Sequence, residues 1–217
     1  MKDILVIAHR GGHGPFRENT LQAFEDALKK DCDALEMDVR YDHLRNRFYL
    51  EHDFFHLPTK NSNTVDKIVP HLPRKTFYFV ELKTISWLTK DFARKFAASY
   101  KKYFTHENSV VMSFNPFVLM HLKKVAPEIK RGYLLGNPMW NFFYKMGLHR
   151  LIAPQIVLLH KRLFSLKNVQ FARKCGFKVM TFVLNKPHLW QKAVDFGVDG
   201  IITDYPKELR QFLQAKE

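Results

Sequence analysis

The 217-residue sequence predicts a (β/α)8 barrel of the TIM type, with a short hairpin-like extension near the second strand. Three observations carry this expectation. Short apolar runs alternate with helical segments along the chain. Most of those runs are β-branched or aromatic and apolar throughout, as strands covered on both faces should be. Polar residues capable of chemistry stand where several of the runs end. Repeated βα units give a parallel sheet, and about eight of them close it into a barrel; an open doubly wound sheet is the competing architecture.

Ile4–Ala8 is the first expected strand. Asn19 with Gln22 three residues later has the form of a capping box, and Leu21, Phe24 and Leu28 fall on one face of the helix it opens. Strands are expected next at Ala34–Val39 and Phe48–Leu50. The Arg40–Arg47 segment between them is too short for a helical crossover, so this pair should be hairpin-like. Thr76–Leu82 follows, and then Phe92, Phe96, Tyr100 and Phe104 repeat at helical spacing. After the Ser109–Ser113 strand, Asn115–Pro116 puts proline at a first helical position, with Val118, Leu122 and Val125 behind it. Arg131–Leu135, Ile156–Leu159, Lys178–Leu184 and Gly200–Thr203 complete the strands. Gly176 and Gly197 each stand where a helix should end, and Pro206 opens a last helix bearing Leu209, Phe212 and Leu213. No linker, internal repeat or low-complexity stretch interrupts the pattern, so 1–217 is expected to form one domain.

The composition, 46% hydrophobic and 26% charged, is that of a globular chain and excludes disorder as the leading description. The formal charge of +14 is high for this size and attracts polyanions or anionic lipid surfaces. Nucleic acid is the less expected of these, because no run of five or six consecutive Lys or Arg occurs. The apolar part of Met1–Ile7 is too short for a secretory leader, and no window approaches the ~18–20 apolar residues of a membrane span. A cytoplasmic protein is expected, with peripheral contact on an anionic membrane. Cys32 and Cys175 lack CxxC spacing and should be small packed hydrophobes, not a disulfide. Pro138–Ile152 (PMWNFFYKMGLHRLI) is apolar nearly all round, with Lys145, His149 and Arg150 adding charge. It reads either as a buried barrel helix or as an interfacial helix or lid.

In a parallel barrel the site lies where strands end and βα loops begin. His9 and Arg10 follow the first run, and His52–Asp53 follows Phe48–Leu50. Glu36 and Asp38, like Glu81 and Lys83, are spaced i, i+2 and so project to one face of their strands. Three carboxylates turned into a lumen repel one another and lose solvation unless a cation sits between them. Oxygen ligands suit Mg2+ or Ca2+, with no preference between the two. Two histidines suggest acid–base work on an ester, and Arg10 and Lys83 are donors suited to phosphate. Together they describe a site for phosphodiester cleavage.

These motifs resemble those of the glycerophosphodiester phosphodiesterase family. His9-Arg10-Gly11, Glu18-Asn19-Thr20, Glu36-Met37-Asp38-Val39, His52-Asp53, Glu81-Leu82-Lys83 and Ser113-Phe114 match its motifs in order. The segment Gly197-Val198-Asp199-Gly200-Ile201-Ile202-Thr203-Asp204-Tyr205-Pro206 is similar to its closing segment. The resemblance implies a metal at Glu36, Asp38 and Glu81, with His9 and His52 as general base and general acid. It also implies Arg10 and Lys83 on the phosphate, and Glu18–Asn19–Thr20 shaping the first loop unless Asn19 is only a helix cap. Attack is by water or by a neighbouring substrate hydroxyl. Two departures stand out: only Phe54–Val80 lies between the His-Asp and Glu-x-Lys motifs, where the family often carries an insertion, and Phe182-Val183-Leu184-Asn185 replaces its Trp-Thr-Val-Asn. Phe182 is then an apolar wall for the substrate's alcohol group. The expected reaction is hydrolysis of a glycerophosphodiester or a lysophospholipid to an alcohol and a glycerol phosphate. The alternatives are a phospholipase C-like or D-like lipid phosphodiesterase, and a catalytically silent basic module that binds membrane or nucleic acid. No assembly signal is visible.

Overall fold

The structure, a computed structural model, describes residues 4–84 and 89–216; Met1–Asp3 of the opening segment lie outside them. Among the described residues, eight strands pair in parallel all the way round a barrel. In order round the barrel they are β1 (Leu5–Ala8), β2 (Ala34–Asp42), β4 (Phe77–Leu82), β5 (Ser109–Ser113), β6 (Arg131–Leu135), β7 (Ile156–His160), β8 (Lys178–Phe182) and β9 (Gly200–Thr203). The β1–β2 pairing closes the ring. The ninth strand, β3 (Arg47–Leu50), runs antiparallel to β2, with Val39 opposite Leu50 and Asp42 opposite Arg47. That is the expected hairpin extension, and it explains why β2 outlasts its expected end at Val39: the extra residues gain a partner strand.

Helices α1 (Leu21–Lys29), α2 (Val65–Ile68), α3 (Thr89–Tyr103) and α4 (Pro116–Val125) pack outside the first strands. A longer helical run then joins α5 (Pro138–Phe143) to α6 (His149–Ile152) through a π-helical stretch at Tyr144–Leu148. Helices α7 (Leu166–Lys174), α8 (Pro187–Asp195) and α9 (Pro206–Gln214) complete the outer layer. Asn115 caps α4 by accepting the Phe117 N–H, with Pro116 in the first turn as expected. The first helix corrects one expectation: Asn19 is not its cap. Thr20 Oγ1 accepts the Ala23 N–H instead, because Asn19 lies in a left-handed turn (φ +57°) and turns inward. Gly176 and Gly197 follow the ends of α7 and α8. Cys32 and Cys175 are both free and half-buried. No helix of the described residues is long and apolar enough to cross a membrane.

Two apolar cores follow from the strand period of two. Outward residues such as Val6, Leu35, Val80 and Leu158's neighbour Leu159 pack under the helices. Inward residues Ile7, Ala34, Phe79, Met112, Leu158, Met180 and Ile202 fill the barrel. One step of two further along the inward series, the chemistry changes. Ile7 is followed by His9, Ala34 by Glu36 and then Asp38, Phe79 by Glu81, and Ile202 by Asp204. The barrel is thus floored with hydrocarbon and roofed with polar groups at the strand C-termini.

Candidate active site

Asp38 on β2 sits opposite Glu81 on β4 in the parallel register, and Glu36 lies one inward position below Asp38. All three are buried, and each offers a carboxylate oxygen within 4.8 Å of the others, so the group could hold a metal ion. Two cations are threaded among them. Arg10 Nε is 2.9 Å from Asp38 Oδ2, and its backbone N–H donates to Glu36 Oε2 at 3.0 Å. Lys83 Nζ is 2.7 Å from Glu81 Oε1 and 3.1 Å from Asp38 Oδ1.

Burial, then the neighbouring Asp38 and Glu81, push Glu36 well above the usual carboxylate range. Burial also raises Glu81, despite Lys83. For Asp38 burial acts upward too, but Lys83, Arg10 and the Asn19 side chain outweigh it and hold the carboxyl below its ordinary value. Arg10 and Lys83 are both raised: burial opposes their charge and the carboxylates more than offset it. This donor set fits a hard divalent cation. Its oxygens converge, Asp38 Oδ1 is buried without an aligned hydrogen bond, and burial with two neighbouring carboxylates holds Glu36 well above its ordinary range.

The two histidines flank this layer, and each has Nδ1 against a carboxylate. His9 Nδ1 lies 2.6 Å from Asp204 Oδ1, and His52 Nδ1 lies 3.0 Å from Asp53 Oδ1. A carboxylate only accepts, so Nδ1 carries the hydrogen and Nε2 is left for proton exchange. Asp204 is built in from both sides: Asn185 Nδ2 donates to its Oδ2 at 2.5 Å, and its own N–H donates to Asn185 Oδ1. Although burial acts upward, His9 and Asn185 hold Asp204 below the usual range. The Asp53 carboxyl is lowered by its hydrogen bond to His52.

Sequence reasoning assigned no role to Asp204, Asn185 or Arg40. Arg40, buried on the inward face of β2, donates through Nε to the Glu51 carbonyl at 3.0 Å and through Nη2 to the His52 carbonyl at 2.7 Å. It fixes the loop that carries His52. Arg40 continues the Glu36, Asp38 series at i, i+2, the signal by which it was recognisable. Asn19 Nδ2 donates to Asp38 Oδ2 and its Oδ1 accepts the Asp38 N–H, so the first loop aims one carboxylate of the buried cluster. Phe182 stands on the β8 side, 5.6 Å between ring centroids from Phe114 and 5.4 Å from His160. Phe114 in turn lies 6.0 Å from Lys83 Nζ. A recess at this point is lined by Arg40, Phe54, Glu81, Lys83 and Phe114, so cationic side chains and aromatic walls share one opening.

The chain is similar to known proteins over nearly its whole length. A model of the glycerophosphoryl diester phosphodiesterase family matches residues 9–41 and 60–208. A glycerophosphodiester phosphodiesterase of Caldanaerobacter subterraneus is 27% identical, with 94% of this chain and 96% of the relative covered. A human lysophospholipase D is 23% identical over 97% of this chain and 85% of its own. In fold, the chain superposes on a glycerophosphodiester phosphodiesterase structure from Thermotoga maritima with a TM-score of 0.77, at 21% identity, covering 97% of this chain and 99% of that one. The matched residues contain His9, Arg10, Glu36, Asp38, Glu81 and Lys83 but not His52 and Asp53, and the chain belongs to the glycerophosphoryl diester phosphodiesterase family of phosphoric diester hydrolases.

Proposed function

We propose that 1–217 is one catalytic barrel that hydrolyses glycerophosphodiesters, lysophospholipids included, to an alcohol and a glycerol phosphate, with Mg2+ or Ca2+ held by Glu36, Asp38 and Glu81. The observation that carries this is the convergence of three buried carboxylates with two partly buried cations in one layer, flanked by two carboxylate-bound histidines. A divalent metal there supplies Lewis-acid charge to a phosphoryl oxygen.

Arg10 and Lys83 orient the phosphate and neutralise charge that builds on its oxygens. His9 Nε2 takes the proton of the attacking hydroxyl as the new P–O bond forms. The P–O bond to the alcohol breaks, and His52 Nε2 delivers a proton to the departing oxygen, so one proton enters His9 as one leaves His52. Attack by water uses these two positions once; attack by a neighbouring glycerol hydroxyl leaves a cyclic phosphate, which water then opens with the roles reversed, His52 Nε2 taking the proton of water and His9 Nε2 giving one to the departing glycerol oxygen. Phe182 and Phe114 form the wall against which the alcohol group rests.

The names of the bacterial and human relatives support both substrate types. The aromatic walls favour a lysophospholipid. The reading extends to a cytoplasmic location, and the net charge of +14 supports peripheral contact with an anionic membrane. Incubation with glycerophosphocholine and, separately, lysophosphatidylcholine tests it, with choline and phosphocholine quantified. Choline release is expected from at least one substrate. Phosphocholine as the only product would turn the reading to phospholipase C-like cleavage, and no product from either would sink it.

A further inference from the structure

The exposed large apolar side chains are concentrated at the catalytic end of the barrel. Phe16, Phe54 and Phe114 stand on loops that follow strand C-termini, Phe117 lies in the first turn of α4, and Phe142 and Phe143 close the short α5 that follows β6, whereas Val125 and Leu151 are exposed towards the other end. Helix α5 begins three residues after β6, and none of its six residues is buried. The expectation of a covered barrel helix therefore fails for this part of Pro138–Ile152. Only from Tyr144 onward does the run return to the core. Trp140 links the projecting turn to its neighbours, with ring centroids 6.3 Å from Phe117 and 5.9 Å from Phe143. Phe142 is 59% exposed and Met139 53%, an arrangement water alone does not favour.

Cations share this end. Lys161 and Arg162 after β7, Lys186 after β8 and Lys90 at the start of α3 are all exposed. Burial, and then the nearby Lys161 and Arg162, hold the His160 imidazole below its ordinary range, a local sign of the same positive field. Apolar side chains ringed by Lys and Arg match the layered chemistry of an anionic lipid surface, with phosphates outside and acyl chains within.

We propose that the catalytic end of the barrel docks on an anionic phospholipid bilayer by inserting Phe117, Met139, Phe142 and Phe143, with Lys161, Arg162 and Lys186 against the phosphates. This rests on the proposed function for what it delivers: an insoluble phosphodiester reaches Lys83 along Phe114 without leaving the interface. The β5–α4 loop supplies continuity, since Phe114 borders the recess at Glu81 and Phe117 borders α5.

The test is co-sedimentation of the full chain with phosphatidylcholine vesicles, with and without phosphatidylglycerol, at low and high salt. Two variants are compared: Phe142→Ser with Phe143→Ser, and Lys161→Glu with Arg162→Glu. The wild type should bind phosphatidylglycerol vesicles and shift Trp140 emission to the blue. The double Phe variant should lose ~tenfold or more in partitioning. The charge variant should lose binding chiefly at low salt. Both should hydrolyse glycerophosphocholine at the wild-type rate, which verifies their fold. Failure of the wild type to bind, or equal binding by the double Phe variant, overturns the proposal. So does a wild-type dimer that the Phe changes split while vesicle binding is unaltered, because a second copy would then be the occupant. Vesicle binding without any diester hydrolysis would support docking and refute the proposed function.

Discussion

A histidine whose Nδ1–H is held by a carboxylate exchanges protons through Nε2, and in this chain both His9 and His52 are so held. His9→Ala or His52→Ala should lower turnover by ~10²–10⁴-fold with an unchanged melting temperature; retained turnover in either variant would refute that residue's acid–base role. Asp204→Asn should act through His9, lowering kcat by on the order of 10²-fold with little change in KM and altering the pH profile. An unaltered profile with lower stability would make Asp204 merely structural. The residues that cluster in the candidate site were readable in the sequence because each stands at a strand end, within a local pattern. Asp204 was not assigned a role because its partner is 195 positions away, and pairing at that distance exists only once β1 and β9 are neighbours. The i, i+2 spacing marks Arg40 as inward-facing, but its role was not legible for a related reason: its partners are backbone carbonyls of the next strand's loop, which carry no residue signature.

At the scale of elements, β-branched and aromatic runs marked the strands, and the ring order follows from successive right-handed βα units. The ends were less legible. β2 reaches Asp42 only because β3 pairs with it, and Asn19 had the chemistry of a cap but serves Asp38 instead. The exposure of α5 was one of two readings the sequence left open, since a segment apolar on every face gives no direction for burial. The turn at His9–Gly11 makes a sharp prediction. Gly11 has φ +96°, and a Cβ there would lie 2.7 Å from Ala23 Cβ and 2.9 Å from its carbonyl carbon. Gly11→Ala should cost about 3 kcal/mol, roughly 6–12 °C in melting temperature for a chain of this size. It should also lower activity by displacing Arg10. A thermal melt decides the first point: a shift under ~2 °C would show that the turn relaxes freely.

For the whole molecule, the buried carboxylates couple metal, protons and stability. Glu36 is raised in the fold, so it keeps a proton that the unfolded chain releases above an ordinary glutamate value of ~4.3. Between that value and its native one the fold binds more protons than the unfolded chain, and metal-free stability should fall as pH rises. Asp38 is lowered, so its contribution is present above the ordinary aspartate value and lost as pH falls through the native one. Mg2+ or Ca2+ should therefore raise the melting temperature more at pH 7.5 than at pH 5. A thermal shift that is equal at both pH values would argue that no carboxyl loses a proton on binding.

Diester hydrolysis with a divalent cation held by Glu36, Asp38 and Glu81 stands or falls on choline release from glycerophosphocholine by the wild type and Glu36→Gln, after EDTA treatment and again after Mg2+ or Ca2+ is restored. EDTA should abolish wild-type turnover, one of the two ions should restore it, and Glu36→Gln should stay at least ~10³-fold lower with either ion. Turnover that survives EDTA, or a Glu36→Gln protein as active as the wild type, would contradict it.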